Sequence, residues 1–139
     1  MVNLNERSYD SIELEETFGF EKTISEDDLK KFSDLTGDFN PLHCDDNYAK
    51  SQGFQSKVAQ GMLISGFFST LVGMICPGKR NLYLSQDSNF KKPIYPGDSI
   101  SVKGKVINKI DSIKVLVIKT EIYVKEHLCV EGQAKVKVI

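Results

Sequence analysis

A stretch of eighteen residues without a charge, from Val58 to Ile75, constrains the fold of this chain more than any other feature. We predict a helix from Ala59 to Ile75, and because it is apolar on nearly every face, other elements must wrap around it. Its length is at the lower edge of a membrane span, but glutamine, serine, threonine and three glycines make it too polar for hydrocarbon. The sequence therefore predicts a long central helix buried inside a globular domain.

The second half of the chain carries the pattern of antiparallel strands. β-Branched residues recur there with period 2 in four segments, namely 82–90, 99–110, 113–125 and 127–138. A further strand is predicted over 18–24, before a helix that Ser25 caps and Gly37 ends, and a short helix is predicted between Asp45 and Gly53. Long strands joined by short turns pair with their neighbours, so we expect an α+β fold with an antiparallel sheet wrapped around the central helix.

Composition limits the number of domains, the partners and the compartment. A chain of 139 residues with 40% hydrophobic and 27% charged residues predicts a single domain over 1–139. Its 18 basic and 19 acidic residues are interspersed, which favours neither nucleic acid nor a membrane surface as a partner. Three widely spaced cysteines fit neither a disulfide framework nor a zinc site, and residues 1–10 lack the apolar core of a signal peptide. We therefore expect a reduced, cytoplasmic protein.

A loop between the first predicted helix and the central helix concentrates acid and base. Asp38 and His43 lie five residues apart, among the turn-forming residues Gly37 and Pro41. A carboxylate and an imidazole can together hold a water, remove its proton and return a proton elsewhere, and Asn40 can orient either group. The loop also fits a structural role, in which Asp38 closes an Asx-turn and His43 caps the next segment. Spacing alone favours the structural role and leaves the catalytic one open.

Two positions on the central helix are candidate binding residues. Gly61 lies in the first turn, where backbone N–H groups lack an intrahelical partner and a glycine lets a ligand approach closely. Such an N–H can stabilise an oxyanion, although close packing of the helix against the sheet is the commoner explanation for a single glycine. Ser69, two turns further on, fits the pattern of a small residue tolerated in a packed helix.

The loop and the start of the central helix belong to a series of motifs, namely Phe32 to His43, Tyr48-Ala49, Gly53-Phe54, Val58 to Leu63, Phe90 to Pro93, and Pro96 to Asp98. Taken in order, these motifs resemble the (R)-specific enoyl-CoA hydratases of the MaoC-like family. The resemblance covers nearly the whole chain, and its Gly-Asp-x-Asn-Pro-x-His core is specific, which favours the catalytic role of the loop. It implies a hot-dog fold, a homodimer with active sites near the subunit interface, and reversible hydration of a trans-2-enoyl thioester in fatty acid metabolism.

The resemblance also implies a role for each candidate site residue. Asp38 and His43 match the catalytic pair, the N–H of Gly61 matches the donor that holds the thioester carbonyl, and Ser69 matches a serine that lines the site. Asn40 remains a candidate substrate-binding residue beside the pair. Many family members carry histidine where this chain has Gln60, which puts the substrate fit or the geometry of the helix start in doubt.

No metal or redox cofactor is expected, because the substrate implied by the family is an acyl thioester of coenzyme A or of an acyl carrier protein. The sequence leaves the carrier, the acyl chain length and the physiological direction open.

A thioesterase of the same fold is an alternative function, but such enzymes usually place an acidic residue on the central helix and residues 59–75 contain none. A module that binds acyl thioesters without catalysis is another alternative. Gln60 favours it, and the Asp38–His43 pair weighs against it.

Overall fold

The protein, described here by a computed structural model that covers every residue from Met1 to Ile139, contains six strands and four α-helices. A 3₁₀ turn at Tyr9–Ser11 precedes the first strand, and a π-helical turn at Leu71–Ile75 extends the last helix. None of the helices combines the length and the apolarity needed to cross a lipid bilayer. The elements are β1 (Thr17–Thr23), α1 (Glu26–Thr36), α2 (Pro41–Cys44), α3 (Asp46–Ser51), α4 (Gly61–Thr70), β2 (Asn81–Gln86), β3 (Asn89–Phe90), β4 (Ser99–Ile110), β5 (Val115–Val124) and β6 (His127–Val138).

The strands form one antiparallel sheet that packs against helix α4. Its order is β1-β4-β5-β6-β2, and β3 also pairs with β6, so β1 and β2 are the edge strands. Along β4 every second residue from Ile100 to Val106 is buried, as the alternating pattern predicts for a strand with one face against a core. The inward side chains of the sheet and the inner face of α4 form the core. The predicted arrangement, an antiparallel sheet around one apolar helix, is confirmed.

Helix α1 begins and ends where its sequence signals predict. Ser25 Oγ accepts a hydrogen bond from the Asp28 N–H at 3.1 Å, and an Asp28 carboxylate oxygen accepts one from the Ser25 N–H at 2.9 Å. Gly37 ends the helix with φ at +80°, a conformation that favours glycine, and its N–H donates to Ser33 O at 2.8 Å. The chain leaves α1 in a fixed direction, directly into the loop that carries Asp38.

Helix α4 is shorter and less enclosed than the sequence predicts. It begins at Gly61, is α-helical to Thr70 and continues as the π-helical turn. Its outer face is exposed at Met62, Gly66 and Ser69 because the sheet covers only one side of the helix. The side chains of the helix and its π-helical turn that are buried against the sheet are Ile64, Phe68, Leu71 and Val72. The uniformly apolar sequence does not show which face the sheet leaves uncovered.

The strand predicted over 82–90 is two strands, β2 and β3, separated by Asp87 and Ser88. The chain at Asp87 crosses Gly132 of β6 so closely that a Cβ on Gly132 would clash with the Asp87 carbonyl oxygen. The Asp87 N–H still donates to Gln133 O at 3.0 Å, so the chain stays attached to β6 as it changes direction. The break therefore involves a residue on another strand, and the period-2 pattern of residues 82–90 does not reveal it.

Candidate active site

The loop after α1 is folded by its own side chains. Asp38 Oδ1 accepts a hydrogen bond from the Asn40 N–H at 3.2 Å, and Asn40 Oδ1 accepts one from the Leu42 N–H at 3.0 Å. Pro41 occupies the first turn of α2, where its missing N–H leaves no helical bond unmade. Asp38 therefore closes an Asx-turn and Asn40 caps α2. The Asx-turn at Asp38 is therefore present as the structural role predicts, whereas His43 caps no segment, because Asp45 caps α3.

His43 is oriented by a backbone carbonyl from the segment before α4. Its Nδ1 lies 2.6 Å from Val58 O, and because a carbonyl oxygen only accepts, Nδ1 carries a proton. In the neutral ring Nε2 then has a free lone pair, and it lies 4.0 Å from Asp38 Oδ2. This distance is too long for a direct hydrogen bond but lets one water contact both groups. The side chain of His43 is 17% exposed and that of Asp38 42%, so solvent reaches the pair from the Asp38 side.

The segment Val58–Gly61 connects His43 to the start of α4. The Val58 N–H donates to Leu42 O at 2.9 Å, and the Ala59 N–H donates to Ile94 O at 2.8 Å. The Gly61 N–H lies in the first turn of α4 and donates to no acceptor within the protein. One short segment therefore supplies both the acceptor that orients His43 and a free backbone donor.

His43 and Gly61 line the same cavity, of about 370 Å³, which we call the Gly61 cavity. The Phe90 ring passes so close to Gly61 that a Cβ there would lie 3.0 Å from the ring. Lys91 and Lys92 bring positive charge to the same wall. The cavity is otherwise mostly apolar, as is typical of small-molecule sites, and is also lined by Phe54, Val58, Ile64, Ile94 and Val130.

The other two predicted binding residues lie apart from this cavity. Ser69 lines a separate cavity of about 320 Å³ together with Tyr83, while Phe90 contributes to both cavities. Asn40 acts as a helix cap through its Oδ1. The structure thus places Asp38 beside His43 and places His43 in one cavity with Gly61, whereas Asp38 itself does not line that cavity and Ser69 lies on the far side of Phe90.

The two buried cysteines and the acidic side chains offer no second catalytic centre. Burial raises the pKa of the Cys76 thiol to about 12, and burial is also the main cause that raises the pKa of Cys129. Neither thiol is therefore a ready nucleophile. No group of three or more His, Cys, Asp or Glu side chains is placed to hold a metal ion. The Asp38–His43 pair remains the candidate centre for acid/base chemistry.

Three residues contribute to this site through contacts that the sequence does not show, namely Val58, Gln60 and Phe90. Val58 acts through its carbonyl, which every residue possesses, so no side-chain pattern distinguishes it. Phe90 was noted within a motif, but its approach to Gly61 depends on how β3 lies across the start of α4. Gln60 was noted as a departure from the family, whereas its burial and hydrogen bonds come only from the structure.

An antiparallel sheet wrapped around one helix is the hot-dog fold, and here it carries an imidazole at the wall of an apolar cavity, with a carboxylate 4.0 Å from the ring. Residues 11–127 match the family model described as MaoC like domain, and the chain belongs to this family. It is 35% identical over 117 residues to an (R)-specific enoyl-CoA hydratase of Rhodospirillum rubrum, a match that covers 84% of this chain and 81% of that protein. It is 31% identical over 130 residues to a 3-hydroxybutyryl-CoA dehydratase of Methylorubrum extorquens, covering 94% of this chain and 83% of that protein.

The fold comparison gives the same family. The solved structure of an (R)-hydratase from Aeromonas caviae, described as involved in PHA biosynthesis, superposes with a TM-score of 0.89. Its sequence is 32% identical, and the match covers 93% of this chain and 98% of that chain. The predicted hot-dog fold and family are confirmed, and the protein is an enzyme of the hydro-lyase class.

Proposed function

We propose that this protein catalyses the reversible, (R)-specific addition of water to trans-2-enoyl-CoA to give (R)-3-hydroxyacyl-CoA, with Asp38 and His43 as the acid/base pair. The arrangement of His43 carries the proposal. Its Nδ1 is bound to Val58 O, its Nε2 lies 4.0 Å from Asp38, and its ring shares a cavity with Gly61. The names of the relatives, a hydratase and a dehydratase, support both directions of the reaction.

In the proposed mechanism a water held between Asp38 and His43 gives a proton to His43 Nε2 while its oxygen attacks C3 of the enoyl group. The electron pair of the C2–C3 double bond moves towards the thioester carbonyl oxygen, where the Gly61 N–H stabilises the enolate-like charge. C2 then takes up a proton from the pair, which returns to its starting state. A positioned acid/base group contributes roughly 10² to 10⁴ in rate, and an oxyanion donor roughly 10² to 10³. These steps move only water and protons, so they need neither a metal nor a redox cofactor.

The test follows the loss of enoyl-CoA absorbance in Asp38→Asn and His43→Ala. We expect kcat to fall by roughly 10²-fold or more in each, because each variant removes one member of the pair. Asp10→Asn is a matched control on an exposed side chain outside the Gly61 cavity. Retained activity in both site variants would disprove the assignment, and release of free thiol from the substrate would indicate hydrolysis instead.

We also propose that the protein acts as a homodimer on an acyl thioester. Strand β2 is an edge of the sheet and exposes Leu82 and Leu84, and Met62 and Phe90 are exposed nearby. An unpaired edge strand with exposed apolar side chains is a template for pairing with a second copy.

Lys91 and Lys92 at the Gly61 cavity favour the phosphates of coenzyme A as the carrier of the acyl group. Comparing the rates with an enoyl-CoA and with the same enoyl group on an acyl carrier protein tests which carrier the enzyme uses.

A further inference from the structure

Gln60 is a buried polar side chain that the proposed mechanism does not use. It is 2% exposed, and its Nε2 donates to Leu29 O at 3.2 Å and to Ser33 Oγ at 3.0 Å, both on α1. Its Oε1 is buried and has no hydrogen-bond partner. Buried polar atoms are nearly always paired, and an unpaired buried oxygen opposes folding. A glutamine at this position therefore calls for a role other than stability.

The position of Gln60 in the chain suggests that role. It lies between Val58, whose carbonyl orients the His43 ring, and Gly61, whose N–H is free. The backbone of this segment is held through the Ala59 N–H to Ile94 O, and the Gln60 amide holds it to α1. The side chain thus ties to α1 the segment that carries both the His43 acceptor and the Gly61 donor.

Helix α1 also contacts the other end of the site. Ser33 Oγ, which accepts from Gln60, lies 3.9 Å from the Sγ of Cys44, the residue directly after His43. The same turn of α1 therefore contacts both the segment before Gly61 and the end of the His43 helix. A displacement of Gln60 would change the distance between these two parts of the site.

We infer that Gln60 is a positioning residue that fixes the Gly61 N–H relative to the His43 ring by tethering residues 58–61 to α1. The inference rests on the proposed function for its kinetic consequence. Removing the amide leaves both functional groups intact but loosens their mutual geometry. Small displacements of reacting groups lower the rate of the chemical step more than they weaken substrate binding.

The first arm of the test is Gln60→Met, which keeps the length and approximate volume of the side chain and removes the amide. We expect kcat to fall roughly 10- to 100-fold with KM within about twofold of wild type. We expect Tm to be no lower than wild type, because the unpaired Oε1 is gone, Leu29 O keeps its bond within α1, and Ser33 can bond a carbonyl of its own helix. Gln60→His retains an N–H donor and should recover most of kcat.

The second arm does not depend on activity. The chain has two histidines, so the ring nitrogens of His43 can be followed by NMR with His127, at the start of β6, as an internal reference. In Gln60→Met we expect the His43 Nδ1–H and the Gly61 amide signals to shift or broaden while those of His127 stay unchanged. Unchanged His43 and Gly61 signals would overturn the inference, even if the wild type proves to have no hydratase activity.

Asn81→Ala is the matched control, because the Asn81 amide also donates to a backbone carbonyl, Gly78 O at 2.6 Å, away from the Gly61 cavity. We expect this control to lower Tm and leave kcat unchanged, the reverse of Gln60→Met.

The inference is wrong if Gln60→Met has wild-type kcat, or if its kcat falls only in proportion to the folded fraction. A wild type without hydratase activity would disprove the proposed function, and the NMR arm would then decide the role of Gln60.

Discussion

At His43 a single hydrogen bond decides which ring nitrogen can act as a base. The acceptor, Val58 O, is a neutral main-chain atom fifteen residues further along the chain. It fixes the tautomer and the ring orientation without adding a second negative charge beside Asp38. The free Nε2 therefore faces the carboxylate, and this geometry depends on the fold rather than on a neighbouring side chain.

The close approach of Phe90 to Gly61 leads to a prediction for Gly61→Ala. The variant keeps the N–H but places a Cβ 3.0 to 3.3 Å from three atoms of the ring. Because Phe90 is 51% exposed, we expect its ring to move into the cavity rather than the fold to break. We expect kcat/KM to fall about tenfold. This factor corresponds to about 1.4 kcal/mol, which lies at the low end of the free-energy cost of overpacking.

The steric cause is tested by the double variant Gly61→Ala/Phe90→Leu, assayed beside Phe90→Leu alone. Relief of the contact should make the additional alanine nearly neutral in the Phe90→Leu background. If alanine costs the same in both backgrounds, the contact with the ring is not the reason for glycine at this position.

Helix α1 supports the site as an element, and its start depends on charge. Burial alone would raise the pKa of Asp28, but hydrogen bonds from the Ser25 backbone and the Lys22 ammonium outweigh it and hold the pKa below its usual value. A carboxyl group with a depressed pKa in the folded state stabilises the fold above its unfolded pKa of about 3.9. That stabilisation is lost as the pH falls through the lower, folded pKa.

We therefore predict that Asp28→Asn lowers the free energy of unfolding by about 1 kcal/mol at pH 7, a typical value for a helix cap. The difference from wild type should shrink as the pH falls below about 4, because the wild-type carboxyl then becomes protonated. Urea unfolding at neutral and acid pH measures both values. A difference that does not change with pH would mean that the negative charge contributes nothing.

Elements with local signals could be predicted from the sequence. The capping residues Ser25 and Asp28, the stop at Gly37 and the alternating residues of β4 each act within a few positions of where they stand. The break between β2 and β3 depends on Gly132, far along the chain, and the exposed strip of α4 depends on how far the sheet reaches. Neither the break between the strands nor the exposed face of α4 could therefore be predicted without the three-dimensional structure.

In the candidate site, too, the residue types could be predicted from the sequence, whereas their contacts with distant residues could not. Asp38, His43 and Gly61 could be predicted from their residue types and from a specific motif, and the structure places Asp38 beside His43 and His43 in one cavity with Gly61. Their alignment depends on contacts that no motif contains, namely the Val58 carbonyl and the tether from Gln60 to Leu29. The resemblance matches Ser69 to a serine that lines the site, but here Ser69 lies beyond Phe90, because spacing along a helix does not show where a neighbouring strand crosses it.

At the scale of the whole molecule, the sheet has an exposed apolar edge that the isolated chain does not cover. Strand β2 pairs with β6 on one side and has no partner on the other. Leu82 and Leu84 are both exposed on it, and the uncovered strip of α4 begins at Met62 nearby. Contact with a second chain along β2 would bury these side chains and extend the sheet.

We predict that Leu84→Lys shifts the protein from dimer to monomer, because a charge at the paired edge opposes its burial. Leu84 is 51% exposed in the single chain, so the variant should still fold. Sedimentation velocity at several concentrations measures the change. Ile113→Lys, an equally exposed position in the turn between β4 and β5, should remain a dimer. A monomeric wild type would contradict the proposed assembly.

Segment 58–61 offers the site two main-chain groups, the Val58 carbonyl and the Gly61 N–H. Main-chain groups survive most substitutions, so the side chain at Val58 can change over evolution while the hydrogen bond to His43 stays in place. A systematic alanine scan would accordingly single out Asp38 and His43 and pass over Val58. Its contribution would become visible only if the peptide group itself were altered, for instance by replacing that amide with an ester.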